Sequence, residues 1–331
     1  MVSRVAAARV RARVLIARVL ACVAVAACTL AGARAATAGD LAPRAAPGTL
    51  APRATGPLTP LLTTTELVAG SNRFAFVLLR DGSLLAGADV TVRTYDVSAE
   101  DAELVAVTPA VYHALEVIDR GRHVHIHPDG TAHLHSAATD VHGIYVAQVK
   151  LDRPGPWGVE IVARHGDGII DGARLRVAAV ATTRTPQPGM PAPRSRNLVA
   201  SDVSDLRQID TSDPPDPRLH QTRIADAIRQ GRPQVIVFAT PKFCTSRVCG
   251  PVLDVVRTLI PDYGKRVAFV HQEIWQPGGM ERLAPTVEEW NLRSEPWTFV
   301  VDGDGIVRVR FEGVMTRREL EAALQQVLRG K

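Results

Sequence analysis

The sequence predicts a multidomain protein, with an N-terminal all-β sandwich at 63–181 and a C-terminal α/β fold at 198–331. Three observations lead to this fold class. Between about 65 and 180, short segments of alternating apolar and polar residues indicate antiparallel strands. From 221 onward, apolar strand-like runs alternate with segments of helical periodicity. A proline-rich stretch at 182–197, expected to be an extended and semi-rigid linker, separates the two patterns.

Length and charge limit the class of protein. A chain of 331 residues is long enough for two domains of ordinary size, each with its own core. The formal net charge is +5, but the first 35 residues hold six arginines and no acidic residue, so the remainder carries about −1. A near-neutral chain has no field that would attract nucleic acid. We therefore expect no nucleic-acid partner.

Residues 1–35 have the pattern of a signal peptide, with an arginine-rich start, an apolar run and the small residues Ala33-Arg34-Ala35 before a cleavage site. Val25-Ala26-Ala27-Cys28 also resembles a bacterial lipobox, which would leave a lipidated Cys28. An uncleaved membrane anchor is disfavoured because the apolar stretch has about 15 residues, whereas a spanning helix needs about 20. We therefore expect an exported, extracytoplasmic protein that meets a membrane only through an N-terminal anchor or a lipid. Disulfides persist in such a compartment.

Residues 36–62 are expected to form a disordered tether. They are mostly small residues and prolines, and Leu41-Ala42-Pro43-Arg44-Ala45 recurs as Leu50-Ala51-Pro52-Arg53-Ala54. Such a segment cannot bury enough apolar surface to offset the entropy lost on ordering.

Five segments within 63–181 alternate or run apolar as strands do, and turn residues separate them. They are Phe74–Leu79, Ala88–Tyr95, Gly143–Val149, Trp157–Ala163 and Ala173–Val177. The strand, turn and strand from Gly143 to Trp157 resemble the immunoglobulin-like domain of small secreted YtkA-type and copper-resistance-type proteins. The resemblance implies an immunoglobulin-like sandwich for this part of the chain.

The C-terminal part alternates helices and strands. Gln234–Ala239 is a nearly continuous apolar run, as expected for a strand that is covered on both faces. The other predicted elements are a helix from 224 that ends at Gly231, helices at 251–260 and 316–328, and strands at 267–270, 297–301 and 306–311. The last helix opens with the capping box Thr316-Arg317-Arg318-Glu319.

Two motifs in this part resemble the thioredoxin superfamily, over about 197–331. Ala239-Thr240-Pro241-Lys242-Phe243-Cys244 follows an apolar strand and precedes Cys249 and a helix. Glu295-Pro296-Trp297-Thr298-Phe299 resembles the family's cis-proline, which precedes a strand and packs beside the cysteines. The resemblance implies a thioredoxin-like fold in which Cys244 attacks a disulfide, Cys249 resolves the intermediate and Pro296 shapes substrate access.

The spacing of the two cysteines departs from that family. The family has two residues between its cysteines, whereas this chain has four, 245–248. In a regular helix the Cα atoms of residues i and i+5 lie about 8.6 Å apart, and a disulfide bridges at most about 7 Å. We therefore predict an irregular loop at 244–249 and a helix that begins near Pro251. Two alternatives stay open: Pro251 kinks a helix already under way, or the pair forms a structural disulfide that never exchanges.

A histidine-rich segment is the candidate metal site. Its members are His123, His125, His127, His133 and His135. Pro128-Asp129-Gly130 suits a three-residue hairpin loop, which would pair 127 with 131, 125 with 133 and 123 with 135, and place all five histidines on one face. Opposed histidines about 5 Å apart could hold Cu(II), Ni(II) or Zn(II). A four-residue loop would split the cluster, and a solvated polar face without an ion is the alternative.

The leading functional hypothesis is thiol–disulfide exchange through Cys244 and Cys249, with protein thiols or disulfides, or a metallocentre protein, as partners. This chemistry requires no cofactor. One alternative is a copper-binding or metallochaperone module that uses the two cysteines and histidines, with copper or zinc as the metal. Another is a non-catalytic binding protein. His271 and Glu273, which follow the strand at 267–270, are interpreted as ordinary polar residues at a strand end.

Overall fold

The computed structural model describes residues 58–330 except 116–121, 127–131, 137–142, 165, 167, 169 and 245–247. The predicted signal peptide at 1–35, with the lipobox residue Cys28, lies outside the described residues. His127 lies outside them too. The predicted tether at 36–62 lies outside them up to 57, whereas its last five residues form the first strand.

Nine strands form one large sheet in the N-terminal part of the chain. They are β1 (Leu58–Leu62), β2 (Leu67–Val68), β3 (Gly70–Arg80), β4 (Ser83–Leu84), β5 (Asp89–Asp96), β6 (Glu103–Ala114), β9 (Gly143–Leu151), β10 (Gly155–Arg164) and β11 (Ile170–Val180). Their order is β1-β3-β9-β6-β5-β10-β11-β2, with β4 beside β3. A separate hairpin pairs β7 (Arg122–Ile126) with β8 (Ala132–Ser136). All five strand segments predicted for this part are confirmed as strands.

The predicted immunoglobulin-like sandwich is wrong. A sandwich keeps its strands in two separate sheets that face each other, whereas here one sheet curls into a half-barrel. The 12-residue strand β6 belongs to both halves of this sheet. Its residues up to Ala110 pair with β5, and its residues from Val111 onward pair with β9. Because β6 joins both sets of strands, no second layer forms among the described strands.

The C-terminal part builds a smaller sheet of four strands. They are β12 (Gln234–Ala239), β13 (Ala268–Glu273), β14 (Trp297–Val301) and β15 (Val307–Glu312), in the order β13-β12-β14-β15. The α-helices are α1 (Ile224–Arg229), α2 (Cys249–Tyr263), α3 (Pro285–Glu289) and α4 (Arg317–Leu328). The predicted capping box of α4 is confirmed, since the Thr316 hydroxyl accepts from the Glu319 N–H and the Glu319 carboxylate accepts from the Thr316 N–H.

Strand β12 is buried along its whole length because both of its faces are covered. Val235 and Val237 pack into an apolar cluster with α2 and α4. Ile236 and Phe238 pack on the opposite face, with α1, α3 and Trp290. The alternation of adjacent side chains between the two clusters follows the two-residue period of a strand.

The expected α/β thioredoxin-like fold is also wrong. About 40% of the residues lie in strands and about 20% in helices, so the protein is mostly β. The smaller sheet contains a single parallel pair among its described strands, β12 with β13. Strand β14 pairs antiparallel with β12, and β15 pairs antiparallel with β14.

Polar contacts connect the large sheet to the smaller one. Arg73 on β3 forms an ion pair with Glu319 on α4, with 2.9 Å between Nε and Oε1. The Glu312 carboxylate at the end of β15 accepts a hydrogen bond of 2.9 Å from the Thr65 N–H. The segment at 182–197, predicted to be an extended linker, also bonds to the smaller sheet, since the Met190 carbonyl accepts from the Val307 N–H at 2.9 Å.

Within the described ranges, no helix is both long enough and apolar enough to cross a membrane.

Candidate functional site

The candidate site lies at the edge of the smaller sheet where β12 and β13 end. These two strands are parallel, and Ala239 is the register partner of Glu273, so their carboxyl ends meet at the same edge. The chain leaves β12 through Thr240 and reaches Cys244, and helix α2 then begins at Cys249. Polar groups at the end of β13 and both cysteines therefore gather in one region.

Cys244 and Cys249 face each other as two buried thiols. Cys244 is 1% exposed and Cys249 is fully buried. The Cys249 backbone N–H donates to Sγ of Cys244, with 3.4 Å between nitrogen and sulfur. Cys244 and Val248 lie outside α2, and residues 245–247 of the irregular loop predicted at 244–249 lie outside the described residues. The helix begins at Cys249, two residues before the predicted start.

The two thiols differ in their surroundings. Burial raises the pKa of Cys249 well above its usual value, and the sulfur of Cys244 and the charge of Glu295 raise this pKa further. Sγ of Cys244 instead accepts an N–H from the first turn of a 15-residue helix, where unpaired donors favour a negative charge. The backbone N–H donor at Sγ of Cys244 and the raised pKa of Cys249 therefore distinguish the two thiols.

Pro296 lies where β14 begins, and the Glu295–Pro296 peptide bond is cis, as predicted. Its carbonyl accepts a hydrogen bond of 2.8 Å from the Gly313 N–H, which fixes the turn before β14 against the end of β15. Burial raises the pKa of the preceding carboxyl, Glu295, and the charge of Glu273 raises it further. The Glu295–Pro296 turn thus places a carboxyl group within electrostatic range of Cys249.

A second group of candidate side chains consists of Asp210, His220 and His271, all buried. One ligand atom from each residue lies within 4.8 Å of the others. Asp210 is in the middle, with His220 Nε2 at 3.1 Å from Oδ2 and His271 Nδ1 at 3.4 Å from Oδ1. His271 is on β13, His220 follows the 3₁₀ turn Pro217–Leu219, and Asp210 follows the 3₁₀ turn Leu206–Gln208.

The two ring nitrogens of His271 have different surroundings. Nε2 lies 3.0 Å from the Ala239 carbonyl at the end of β12, so it carries the proton and donates. Nδ1 is buried and has no partner in hydrogen-bonding geometry, although it faces the Asp210 carboxylate. A histidine that donates one N–H to a backbone carbonyl and leaves its other nitrogen toward a carboxylate has the orientation of a metal ligand.

The Asp210 carboxylate is held as an anion. It accepts from the N–H of Ser212 at 2.9 Å and from the N–H of Asp216 at 3.1 Å. Burial opposes its ionisation, but His271, His220 and Ser212 hold the pKa of Asp210 well below its usual range. Burial lowers the pKa of His220. Burial also acts to lower the pKa of His271, but the charge of Asp210 outweighs it and raises this pKa.

These three residues could hold a metal ion. Two imidazole nitrogens and one carboxylate oxygen form a donor set that first-row transition metals accept. The donors come from three separate parts of the chain, which the packing of the 200–223 region against β13 brings together.

Residues 210–212 link this group to the cysteines. The Thr211 hydroxyl donates to Oε2 of Glu273 at 2.6 Å and accepts from the Lys242 N–H at 3.2 Å. Nη2 of Arg257, on α2, donates to the Ser212 hydroxyl at 2.6 Å. The buried histidine group and the dithiol are therefore connected through consecutive residues.

The histidine hairpin has the backbone pairing that the three-residue loop predicts. His123 pairs with His135, and His125 pairs with His133, in the antiparallel register of β7 and β8. The pairing of 127 with 131 lies outside the described residues. Metal binding by the hairpin stays a prediction.

Asp210 and His220 are functional candidates that the sequence did not indicate. Both lie outside the strands and α-helices, where no hydrophobic period indicates which side chains are buried. The sequence places His271 at the end of a strand, whereas the structure places it inside β13, where the whole strand is buried. A histidine within such a buried strand was the one signal available.

No protein-family model matches the chain, and no curated protein matches it.

Proposed function

We propose that the protein performs thiol–disulfide exchange, with Cys244 as the attacking thiolate and Cys249 as the resolving thiol. One observation carries the proposal: the Cys249 N–H, at the start of α2, donates to Sγ of Cys244 at 3.4 Å. A donor in this position stabilises the thiolate, which is the nucleophilic form of cysteine. The raised pKa of Cys249 supports its assignment as the thiol that keeps its proton until the second step.

The reaction proceeds in two balanced steps. The Cys244 thiolate attacks one sulfur of a substrate disulfide, forming a mixed disulfide and releasing the other sulfur as a thiolate that takes up a proton. Cys249 then loses its proton and attacks Cys244, which forms the Cys244–Cys249 disulfide and releases the second substrate thiol. The substrate gains two electrons and the protein loses two. An external dithiol returns the protein to its reduced form by the reverse reaction.

The burial of Cys244 restricts the substrate. Because this side chain is 1% exposed, a substrate sulfur reaches it only after part of its cover is displaced. Small disulfides should therefore react faster than bulky folded ones. The predicted export of the chain supports protein disulfides as the physiological partners, since disulfides persist outside the cytoplasm.

The experiment compares reduction of glutathione disulfide by the wild-type chain, Cys244→Ser and Cys249→Ser. Wild type should release two glutathione thiols per chain. Cys249→Ser should release one and keep the other as a mixed disulfide. Cys244→Ser should react slowly or not at all, because Cys249 is a protonated, fully buried thiol. Equal reactivity in Cys244→Ser and wild type would refute the assignment of the nucleophile.

A second function, metal binding, is favoured by the grouping of Asp210, His220 and His271, since one ligand atom from each buried residue lies within 4.8 Å of the others. We propose that Asp210, His220 and His271 hold copper or zinc, because both metals accept two imidazoles with a carboxylate. Such an ion would hold three separate parts of the chain together.

The test is retention of Zn(II) or Cu(II) after dialysis of the full chain, measured by elemental analysis. His271→Gln should lower retention, whereas His113→Gln, on β6 and outside this group, should not. Equal retention in both variants would contradict the proposed site.

A further inference from the structure

We propose that Thr211 is a positioning residue for the dithiol, acting within a 210–212 segment that holds the two cysteines at a set separation. The proposal rests on the thiol–disulfide exchange proposed above. Three consecutive residues each contact a different part of the site. Asp210 contacts His220 and His271, Thr211 contacts the chain before Cys244, and Ser212 contacts the helix that begins with Cys249.

Thr211 holds the chain that leads to Cys244. Its hydroxyl lies between the end of β13 and the residues that follow β12, because it donates to Glu273 at 2.6 Å and accepts from the Lys242 N–H at 3.2 Å. Lys242 lies two residues before Cys244. Glu273 is buried and anchored by the Ile274 N–H at 2.9 Å, so the hydroxyl is attached to a fixed point.

Ser212 holds helix α2. Its hydroxyl accepts from Nη2 of Arg257 at 2.6 Å and donates to Asp210. Arg257 is 5% exposed and also pairs with Asp254 at 2.9 Å, so it has little freedom to move away. Because α2 is a continuous helix from Cys249, holding Arg257 also fixes where Cys249 lies.

The hydrogen bonds of Thr211 and Ser212 therefore determine the distance between the sulfur atoms of Cys244 and Cys249. Closing the disulfide requires Sγ of Cys249 to approach Sγ of Cys244 to about 2.05 Å. The rate of this step depends on how well the two groups are oriented beforehand. Removing the Thr211 hydroxyl frees the Cys244 side of the pair, leaves the Lys242 N–H without its acceptor and leaves α2 in place.

The expected effect is a loss of effective concentration between the two thiols. Loss of the hydrogen bond from the Lys242 N–H to the Thr211 hydroxyl, together with the bond from that hydroxyl to Glu273, should lower the effective concentration of Cys249 toward Cys244 by about tenfold. The effective concentration is measured by the equilibrium constant with glutathione. In that equilibrium the reduced protein and one glutathione disulfide give the protein disulfide and two glutathione thiols, so the constant has units of concentration. The lifetime of the mixed disulfide on Cys244 should lengthen by a similar factor.

The experiment measures both quantities for wild type, Thr211→Val, Thr211→Ser and Thr108→Val. Thr211→Val keeps the shape of the side chain and removes the hydroxyl, and Thr211→Ser keeps the hydroxyl. Thr108, on β6, makes a matched control on the other sheet. We expect the tenfold loss in Thr211→Val, recovery in Thr211→Ser and no change in Thr108→Val.

Several outcomes would overturn the proposal. A Thr211→Val protein within twofold of wild type in both quantities refutes the positioning role while leaving the exchange function intact. Absence of exchange in wild type refutes both. If Thr211→Val does not fold, Ser212→Ala, which removes the acceptor of Arg257, should give the same loss; an unchanged equilibrium constant in Ser212→Ala then refutes the proposal.

Discussion

Replacing the carboxylate at the centre of the buried histidine group should strongly destabilise the protein. In Asp210→Asn the shape of the side chain is kept but its negative charge is removed from between His220 and His271. The Asp210 side chain is fully buried, so no water replaces the lost partner. Removing one member of a buried ion pair costs about 3–5 kcal/mol.

The contacts of Asp210 explain why the cost should fall in that range. One carboxylate oxygen accepts from the Ser212 N–H at 2.9 Å and the other from the Asp216 N–H at 3.1 Å. An asparagine can place its oxygen at only one of these positions, so its NH₂ group meets an N–H donor at the other. A buried donor left without an acceptor costs about 1–3 kcal/mol by itself. Loss of the attraction to His271 adds to this penalty.

The assay is urea unfolding followed by tryptophan fluorescence, with EDTA present so that a bound metal does not contribute. The control is Asp226→Asn on α1. Its ion pair with Arg229 is exposed, with side-chain exposures of 31% and 69%, and should be worth at most about 0.5 kcal/mol. A loss below about 1 kcal/mol in Asp210→Asn, at an unchanged m-value, would refute the view that this carboxylate is a buried ionic centre.

Three further predictions concern the two sheets. Leu253→Ala, in the apolar cluster between β12 and α2, should lower the free energy of unfolding by about 2–5 kcal/mol in urea titrations, because the residue is fully buried; a loss below about 1 kcal/mol would contradict this packing. Burial opposes the ionisation of Glu160, but hydrogen bonds from its arginine and tyrosine partners outweigh the effect of burial, so the pKa of Glu160 is lowered overall. The stabilisation that Glu160 contributes is therefore present above its unfolded-state pKa and is lost as pH falls through its folded-state pKa. Glu160→Gln should flatten the acid side of a curve of unfolding free energy against pH, and an unchanged curve would contradict the prediction. Gly313→Ala should destabilise more than Gly330→Ala in thermal melts, since both have positive φ but only the former would place Cβ at 2.7 Å from the Thr63 carbonyl; equal shifts would show that this contact relaxes freely.

Much of the secondary structure could be predicted because it is encoded locally. The alternation in Ala88–Tyr95 and the continuous apolar run in Gln234–Ala239 each identify a strand. The loop residues 128–130 predict the register that pairs His125 with His133.

The arrangement of the sheets could not be predicted, because strand partners are not encoded locally. Strand β6 contains Pro109 and few polar interruptions, so its sequence gives no sign that it pairs with β5 at one end and β9 at the other. The prediction of two facing sheets failed at this strand. The histidine group was missed for the same reason, since Asp210 and His220 reach His271 only through the packing of irregular chain on β13.

Trapping of a mixed disulfide shows which cysteine is the nucleophile. Cys249→Ser and Cys244→Ser are each incubated with glutathione disulfide under native conditions, and the intact chains are weighed by mass spectrometry. We expect one glutathione adduct on Cys244 in the Cys249→Ser protein, and little or no adduct on Cys249 in the Cys244→Ser protein. Adducts of equal yield on both cysteines, or an adduct on Cys249 alone, would contradict the assignment of Cys244 as the nucleophile.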